Sequence, residues 1–268
     1  MNDDKVGVAV ITCDRKNMYN VCIESIKEDW YDELVTVDDG KTDDVLAPKG
    51  EYIKTAGGEG VGKSKNTALQ YLLKMGCDYI VLVEDDMKFS GNLFAEYVRA
   101  YKKTGIHHFM FGYHGPANKA GISYGKPVPR LIFDYGSVKV ALNQHCVGAV
   151  TFYTRESLEK VGLYDENFTN AFEHVDHSFQ LAKNGFSTPY WWWADIANSL
   201  DYVQEQKCSE ESSAIRPRSD WQSNIQTAAQ YFMKKNNVSP VRVPDTPQQE
   251  VVEIIKRYRK LIDERSKK

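Results

Sequence analysis

The sequence contains no run of about 18 or more apolar residues, so no membrane-spanning helix is expected. Its first ten residues, MNDDKVGVAV, are too acidic and turn strand-like too soon for a secretory signal, which places the expected location in the cytoplasm. Cysteine is scarce and scattered: Cys13, Cys22, Cys77, Cys146 and Cys208 make an odd number, with no C-x-x-C pair. That spacing argues for reduced thiols and against both a zinc site and a disulfide framework. Net charge is only -3, which leaves no global attraction for nucleic acid. The one basic concentration closes the chain, where EIIKRYRKLIDERSKK carries Lys256, Arg257, Arg259, Lys260, Arg265, Lys267 and Lys268. No internal repeat is visible.

What is present is an ordinary globular composition, 268 residues with 42% apolar and 26% charged, enough for one large domain or one domain plus an appendage. Strands are expected at Val6 to Ile11, Leu34 to Val37, Tyr52 to Ala56, Asp78 to Val83, Ala149 to Tyr153 and Ser187 to Trp193. Helices are expected between them, around Asn17 to Lys27, Ser64 to Met75, Asn92 to Lys103 and Ala171 to Lys183, with Gly- and Pro-rich loops over Phe109 to Arg130. The alternation predicts an α/β fold with a mostly parallel sheet covered on both faces, whose ligands gather at the carboxyl ends of the strands. From about Ser209 a polar linker leads to two expected helices, Gln222 to Lys235 and Gln249 to Asp263.

The stretch Gly57 to Ser64, GGEGVGKS, matches the Walker A pattern, in which backbone N-H groups cradle phosphates, Lys63 reaches the terminal phosphates and Ser64 holds magnesium. A P-loop ATPase or nucleotide kinase is therefore one reading, with YIVLVEDD as its second acidic strand. It leaves TCDR at 12 to 15 and VDDGKTDD at 37 to 44 without a role.

The ordered set ITCDR, VDDGKTDD, GVGKSKNTAL, DYIVLVEDD, VGLYDENF and FEHVDHSFQLAKNGF resembles family 2 glycosyltransferases of the GT-A fold, over roughly residues 5 to 195. The resemblance implies a GT-A domain over 1-208, with a nucleotide-binding half of about 1-90 and an acceptor half of about 91-208, followed by a helical extension over 209-268. It implies a nucleotide-sugar donor, a UDP-sugar before others, and an acceptor hydroxyl on a glycan or on a hydroxymethylated base in phage DNA. Asp86 is then the metal ligand and Asp85 shares the ion or contacts the ribose. Thr12, Arg15, Asp38 and Asp39 complete the nucleotide pocket, and Lys65-Asn66 stands where Arg-Asn is usual.

The chemistry agrees with that assignment. Cleaving a nucleotide sugar builds negative charge on the diphosphate, and Mn²⁺ or Mg²⁺ held by carboxylates meets it. Three consecutive acids, Glu84, Asp85 and Asp86, repel one another unless a cation compensates. Lys63, Lys65 and Asn66 open a helix whose N-terminal dipole favours donor phosphates. At 100° per residue, Phe172, Val175, Phe179 and Ala182 form a core stripe and Glu173, Asp176 and Gln180 a polar one, so two carboxylates are expected on one face beside the sugar. The resembling inverting enzymes show Glu-Asp here with the Asp as base, whereas this chain has His174. Either the base is Glu173, Asp176 or His174, with the carboxylates expected to carry it, or the enzyme retains configuration and needs no such base. A noncatalytic carbohydrate-binding protein of the same fold is the remaining alternative. Trp191, Trp192 and Trp193 offer a sugar-stacking platform or core, and His107, His108 and His114 sit near glycines as possible acceptor contacts. The basic face of the last helix could lie against the domain, an anionic membrane or a DNA backbone.

Overall fold

The computed structural model describes residues 4–42, 48–121, 125–207 and 221–265. Asp43, Asp44, Cys208, the polar linker from Ser209, Lys267 and Lys268 lie outside the described residues. Strands β1 (Val6–Thr12), β2 (Glu33–Asp38) and β3 (Glu51–Lys54) pair in parallel, with α1 (Lys16–Ser25) crossing from the first to the second. Helix α2 (Val61–Lys74) leads to β4 (Tyr79–Glu84), which pairs in parallel with β1 on its other side.

The apolar runs of β1 and β4 follow from burial on both faces: Val8 and Val10 join one core, while Ala9 and Ile11 join another under α2 with Ala68, Leu69 and Leu72. Beyond β4 come β5 (Met87–Phe89), α3 (Leu93–Thr104) and β6 (His108–Met110). Asn92 is the cap of α3, accepting from Ala95 N-H at 3.0 Å, and Gly105 ends it in the left-handed conformation. A hairpin-like pair follows, β7 (Leu131–Asp134) and β8 (Lys139–Asn143), then β9 (Val150–Thr154), α4 (Arg155–Val161) and α5 (Glu173–Lys183). The chain closes with β10 (Trp193–Ile196), β11 (Val203–Glu205), α6 (Trp221–Asn236) and α7 (Gln248–Arg265).

The central sheet has the order β3-β2-β1-β4-β9-β6, with β9 antiparallel to both of its neighbours. This is the expected α/β GT-A type architecture, a mostly parallel sheet flanked by helices. It runs unbroken across the boundary expected near residue 90, because β4 bonds β9. No helix among the described residues is long and apolar enough to cross a membrane.

Several expectations are corrected. The tryptophan run is not a strand: Trp191 has φ +68°, and β10 starts only at Trp193. Trp191 Nε1 donates to the Val243 carbonyl at 2.6 Å and Trp192 Nε1 to the Thr246 carbonyl at 2.9 Å, while Arg130 stacks on Trp192 at 3.6 Å. Trp191 and Trp192 clasp the segment between α6 and α7 and Trp193 is buried in the core, so the three form no stacking platform. The stripe of α5 is also reversed in burial, since Glu173 and Asp176 are buried and Val175 and Phe179 only partly so. Helix α6 packs over that partly buried face, a tertiary contact that 3.6-residue periodicity does not encode.

Candidate functional site

The register of the sheet assembles the site. Thr12 lies opposite Asp38 and Ile11 opposite Glu84, so β1, β2 and β4 end at one edge. Strand β9 runs the other way, which brings the segment before it, Cys146 to Ala149, to the same edge, and β6 delivers His114 there. Glu205 on β11 pairs with Met87 and thereby stands beside Asp86. Together with the start of α5 these segments enclose a cavity of about 580 Å³.

At the β4 end the acids divide their work. Asp85 is fully buried, accepts from Thr12 Oγ1 at 2.7 Å and forms an ion pair with Arg15. Asp86 meets Arg15 at 3.4 Å and His114 Nε2 at 3.6 Å through Oδ2, while its buried Oδ1 has no hydrogen-bond partner. Burial alone would raise the Asp86 carboxyl, but His114 and then Arg15 outweigh it and hold it at about 2. Burial would likewise lower the His114 imidazole, yet Asp86 and then Glu205, 3.5 Å away, lift it to about 9. A bare, ionised oxygen is what a hard cation requires, although Asp85 and Asp86 stand behind the lining of the cavity, which Glu84, Arg15 and His114 form here. Among the described residues no group of three or more His, Cys, Asp or Glu side chains forms a ready metal cage.

The glycine loop is not a phosphate cradle. Its Glu59 and Gly60 N-H groups donate to the two Asp39 carboxylate oxygens at 2.9 Å each, and Gly58 N-H donates to the Asp39 carbonyl at 2.8 Å. Gly60 has φ +103°, and a Cβ there would lie 2.6 Å from the Thr169 carbonyl oxygen, so glycine is required by the fold. Ser64 Oγ donates to the Gly60 carbonyl, and exposed Lys63 pairs with Glu59, away from the cavity. The Walker match therefore records a turn built around Asp39.

Other expected site residues are also redirected. Asp38 is held by Tyr52 at 2.7 Å, Lys54 at 2.8 Å and Gly40 N-H, and it does not line the cavity. Asn66 donates to the Tyr164 carbonyl and to Glu166, tying α2 to the loop before α5. Lys65 is fully buried and bridges Glu84 at 2.9 Å and Glu173 at 3.2 Å, so it meets protein carboxylates where donor phosphates were expected. The two α5 carboxylates part company: Asp176 turns to Lys235 at 2.7 Å and Asn236 at 3.0 Å on α6, while Glu173 lines the cavity beside His174. Thr12, Arg15, Asp39, Glu173 and His174 do line it. His107 and His108 are buried in the sheet; of the three histidines near glycines only His114 reaches the cavity.

Sequence reading missed Glu205, Trp221 and Ile225, which also line the cavity. No local pattern signals them, because they reach it by long-range packing. Phe172 is a cavity residue with φ +63°, a left-handed conformation that a large side chain adopts only under tertiary constraint.

No family model matches the chain. It is 25% identical over 157 residues to an uncharacterized glycosyltransferase of Acanthamoeba polyphaga mimivirus, which spans 58% of this chain and 57% of that protein. Among solved structures, S. aureus TarS residues 1-349 align with 95% of this chain and 70% of that one, at TM-score 0.52 and 14% identity. A GalNAc-T7 complex with UDP, GalNAc and Mn²⁺ aligns with 98% of this chain and 56% of that one, at TM-score 0.55 and 11% identity. The chain has the fold of these glycosyltransferases.

Proposed function

We infer that the chain is a glycosyltransferase that moves a sugar from a nucleotide-sugar donor, a UDP-sugar before others, to an acceptor hydroxyl with the help of a divalent cation. The observation that carries this reading is the bare Asp86 oxygen, buried beside Arg15 and His114 at the edge where β1, β4 and β6 deliver their side chains. The mimivirus relative's name and the ligands of the solved complexes point the same way. Asp86 would hold Mn²⁺ or Mg²⁺, with Asp85 fixed behind it by Thr12 and Arg15. Such a cation supplies Lewis-acid neutralisation of the departing diphosphate.

The protein's own residues bind and orient. Arg15 puts positive charge at the donor end, where the diphosphate develops its negative charge, and His114 stands beside it. The far wall, with Phe172, Trp221 and Ile225, suits the apolar face of a sugar ring.

The test is a thermal-shift panel of nucleotide sugars with and without Mn²⁺, followed by donor turnover. A bound donor at a hundred times its Kd adds roughly 2.7 kcal/mol of stability. The reading is lost if no nucleotide sugar raises the melting temperature and none is turned over.

A further inference from the structure

Transfer to a hydroxyl requires that its proton be taken, and the far side of the same cavity holds a constellation for this. Glu173 opens α5 with its side chain almost wholly buried; its Oε1 lies 3.2 Å from Lys65 Nζ and 3.0 Å from His174 Nδ1. Lys65 is itself fixed, since it also reaches Glu84 at 2.9 Å and the Gly148 carbonyl at 3.4 Å. The imidazole of His174 rests on Gly148, where a Cβ would come within 2.8 Å of the ring carbon Cγ and 3.1 Å of Nδ1. His174 lines the cavity with its side chain 26% exposed. With Nδ1 committed to a carboxylate, Nε2 is the nitrogen left for the cavity.

We propose that His174 is the catalytic base, that Glu173 orients it, and that Lys65 fixes Glu173, so that the sugar is transferred by single displacement with inversion at the anomeric carbon. This rests on the glycosyl-transfer reading and adds the base and the stereochemistry. In the step, His174 Nε2 takes the acceptor O-H proton while the acceptor oxygen bonds to the anomeric carbon. The bond from that carbon to the diphosphate oxygen breaks, its electron pair leaves with the nucleoside diphosphate, and the imidazolium later returns its proton to solvent.

Glu173 is the poorer base. Burial would raise its carboxyl, but Lys65 and then His174 more than offset this and hold it well below the usual carboxylate range. A carboxylate so stabilised gains little by accepting a proton, and it serves as the fixed acceptor that sets the imidazole tautomer. Asp176 faces α6 and cannot reach the same hydroxyl. Besides Glu173, the titratable groups around the ring are Lys65 from α2, Glu84 from β4 and Cys146 from the segment before β9, with Tyr164 behind Lys65. Burial pushes the Cys146 thiol up to about 12, so it stays protonated through neutrality.

Two measurements decide the matter. In ¹⁵N-histidine-labelled free protein above neutral pH, His174, assigned by its loss in His174→Gln, should carry its proton on Nδ1 with Nε2 bare, and Glu173→Leu, which removes the acceptor, should erase that preference. A wild-type ring protonated mainly on Nε2 overturns the proposal, whatever the substrate. In turnover of UDP-glucose or UDP-N-acetylglucosamine with Mn²⁺, His174→Gln should lower the rate on the order of 10²-fold or more while the donor-induced thermal shift persists. Undiminished turnover by His174→Gln, or a first-formed product that keeps the donor's anomeric configuration, overturns it. If no nucleotide sugar shifts the melting temperature, the donor reading fails by itself and the tautomer still tests the Glu173-His174 geometry.

Discussion

The two ends of the cavity pose the same problem and solve it differently. At the β4 end, Asp85 and Asp86 are adjacent in the chain; Asp85 is consumed by Thr12 and Arg15, while Asp86 keeps one oxygen bare. At the α5 end, Glu173 and Asp176 are one helical turn apart; Glu173 faces the cavity and Asp176 is spent on α6. Shared spacing did not mean shared duty in either place. The partner each carboxylate meets decides its role, and in each pair one acid builds the frame while the other serves the chemistry.

The largest expected effect separates the first pair. Asp86→Ala should remove the Mn²⁺-dependent part of donor binding and cut transfer roughly 10³-fold, the scale of several kcal/mol of charge stabilisation. Full activity of this variant, or turnover undiminished by excess chelator, would erase the distinction between the two acids.

The link between the ends is Lys65, whose removal strands two carboxylates. Lys65→Met should cost about 3–5 kcal/mol in urea unfolding, as expected when one member of a buried ion network is deleted. A variant as stable as wild type would mean that Glu84 and Glu173 do not depend on it.

The second pair separates through Asp176→Asn. It should lower stability by about 1–3 kcal/mol, because the charge and one of the two acceptor oxygens that Lys235 and Asn236 share are lost, while turnover stays near wild type. Lost turnover at unchanged stability would return Asp176 to the chemistry.

The histidines extend the comparison to pH. Burial pushes His108 down to about 3 and His177 to about 4, so both rings are neutral in the fold. Their folded values lie below the unfolded value of ~6.5; the unfolded chain therefore takes up protons first. The stability they contribute is complete above about pH 6.5 and falls as pH drops toward 4 and 3, by up to about 1.4 kcal/mol per pH unit for each. Urea unfolding at pH 7.5, 6 and 5 would show this slope; a flat profile would mean that these rings accept protons in place.

The smallest effect belongs to Lys63. Lys63→Ala should leave donor turnover within about twofold, because its pair with Glu59 is a solvated surface contact. No ATP or GTP turnover is expected from the chain. Measured NTPase activity that disappears in both Lys63→Ala and Ser64→Ala would restore the P-loop reading.

Much of the parallel half was legible. The runs VGVAVIT and YIVLVE declare buried strands, and the polar residues just past β1, β2 and β4 mark the edge where ligands collect. The antiparallel part was less so. β7 went unseen because its alternation is short and partly exposed, β8 because its short buried run KVALN has no alternation, and β5 and β11 because three residues carry no period. GGEGVGKS misled for a physical reason: glycines that permit left-handed turns look alike whether the amides they expose meet a phosphate or, as here, Asp39.

The sequence by itself determined the layered α/β architecture, the strand edge of the site and the acids, histidine and lysine available there, because burial period and strand-end polarity are local properties of the chain. Only the tertiary structure decided which of those groups remain for chemistry. Arg15, Lys65 and Lys235 come from 70, 108 and 59 residues away to claim Asp85, Glu173 and Asp176. A buried charge takes its role from the partner that compensates it, and that partner is chosen by packing across the fold.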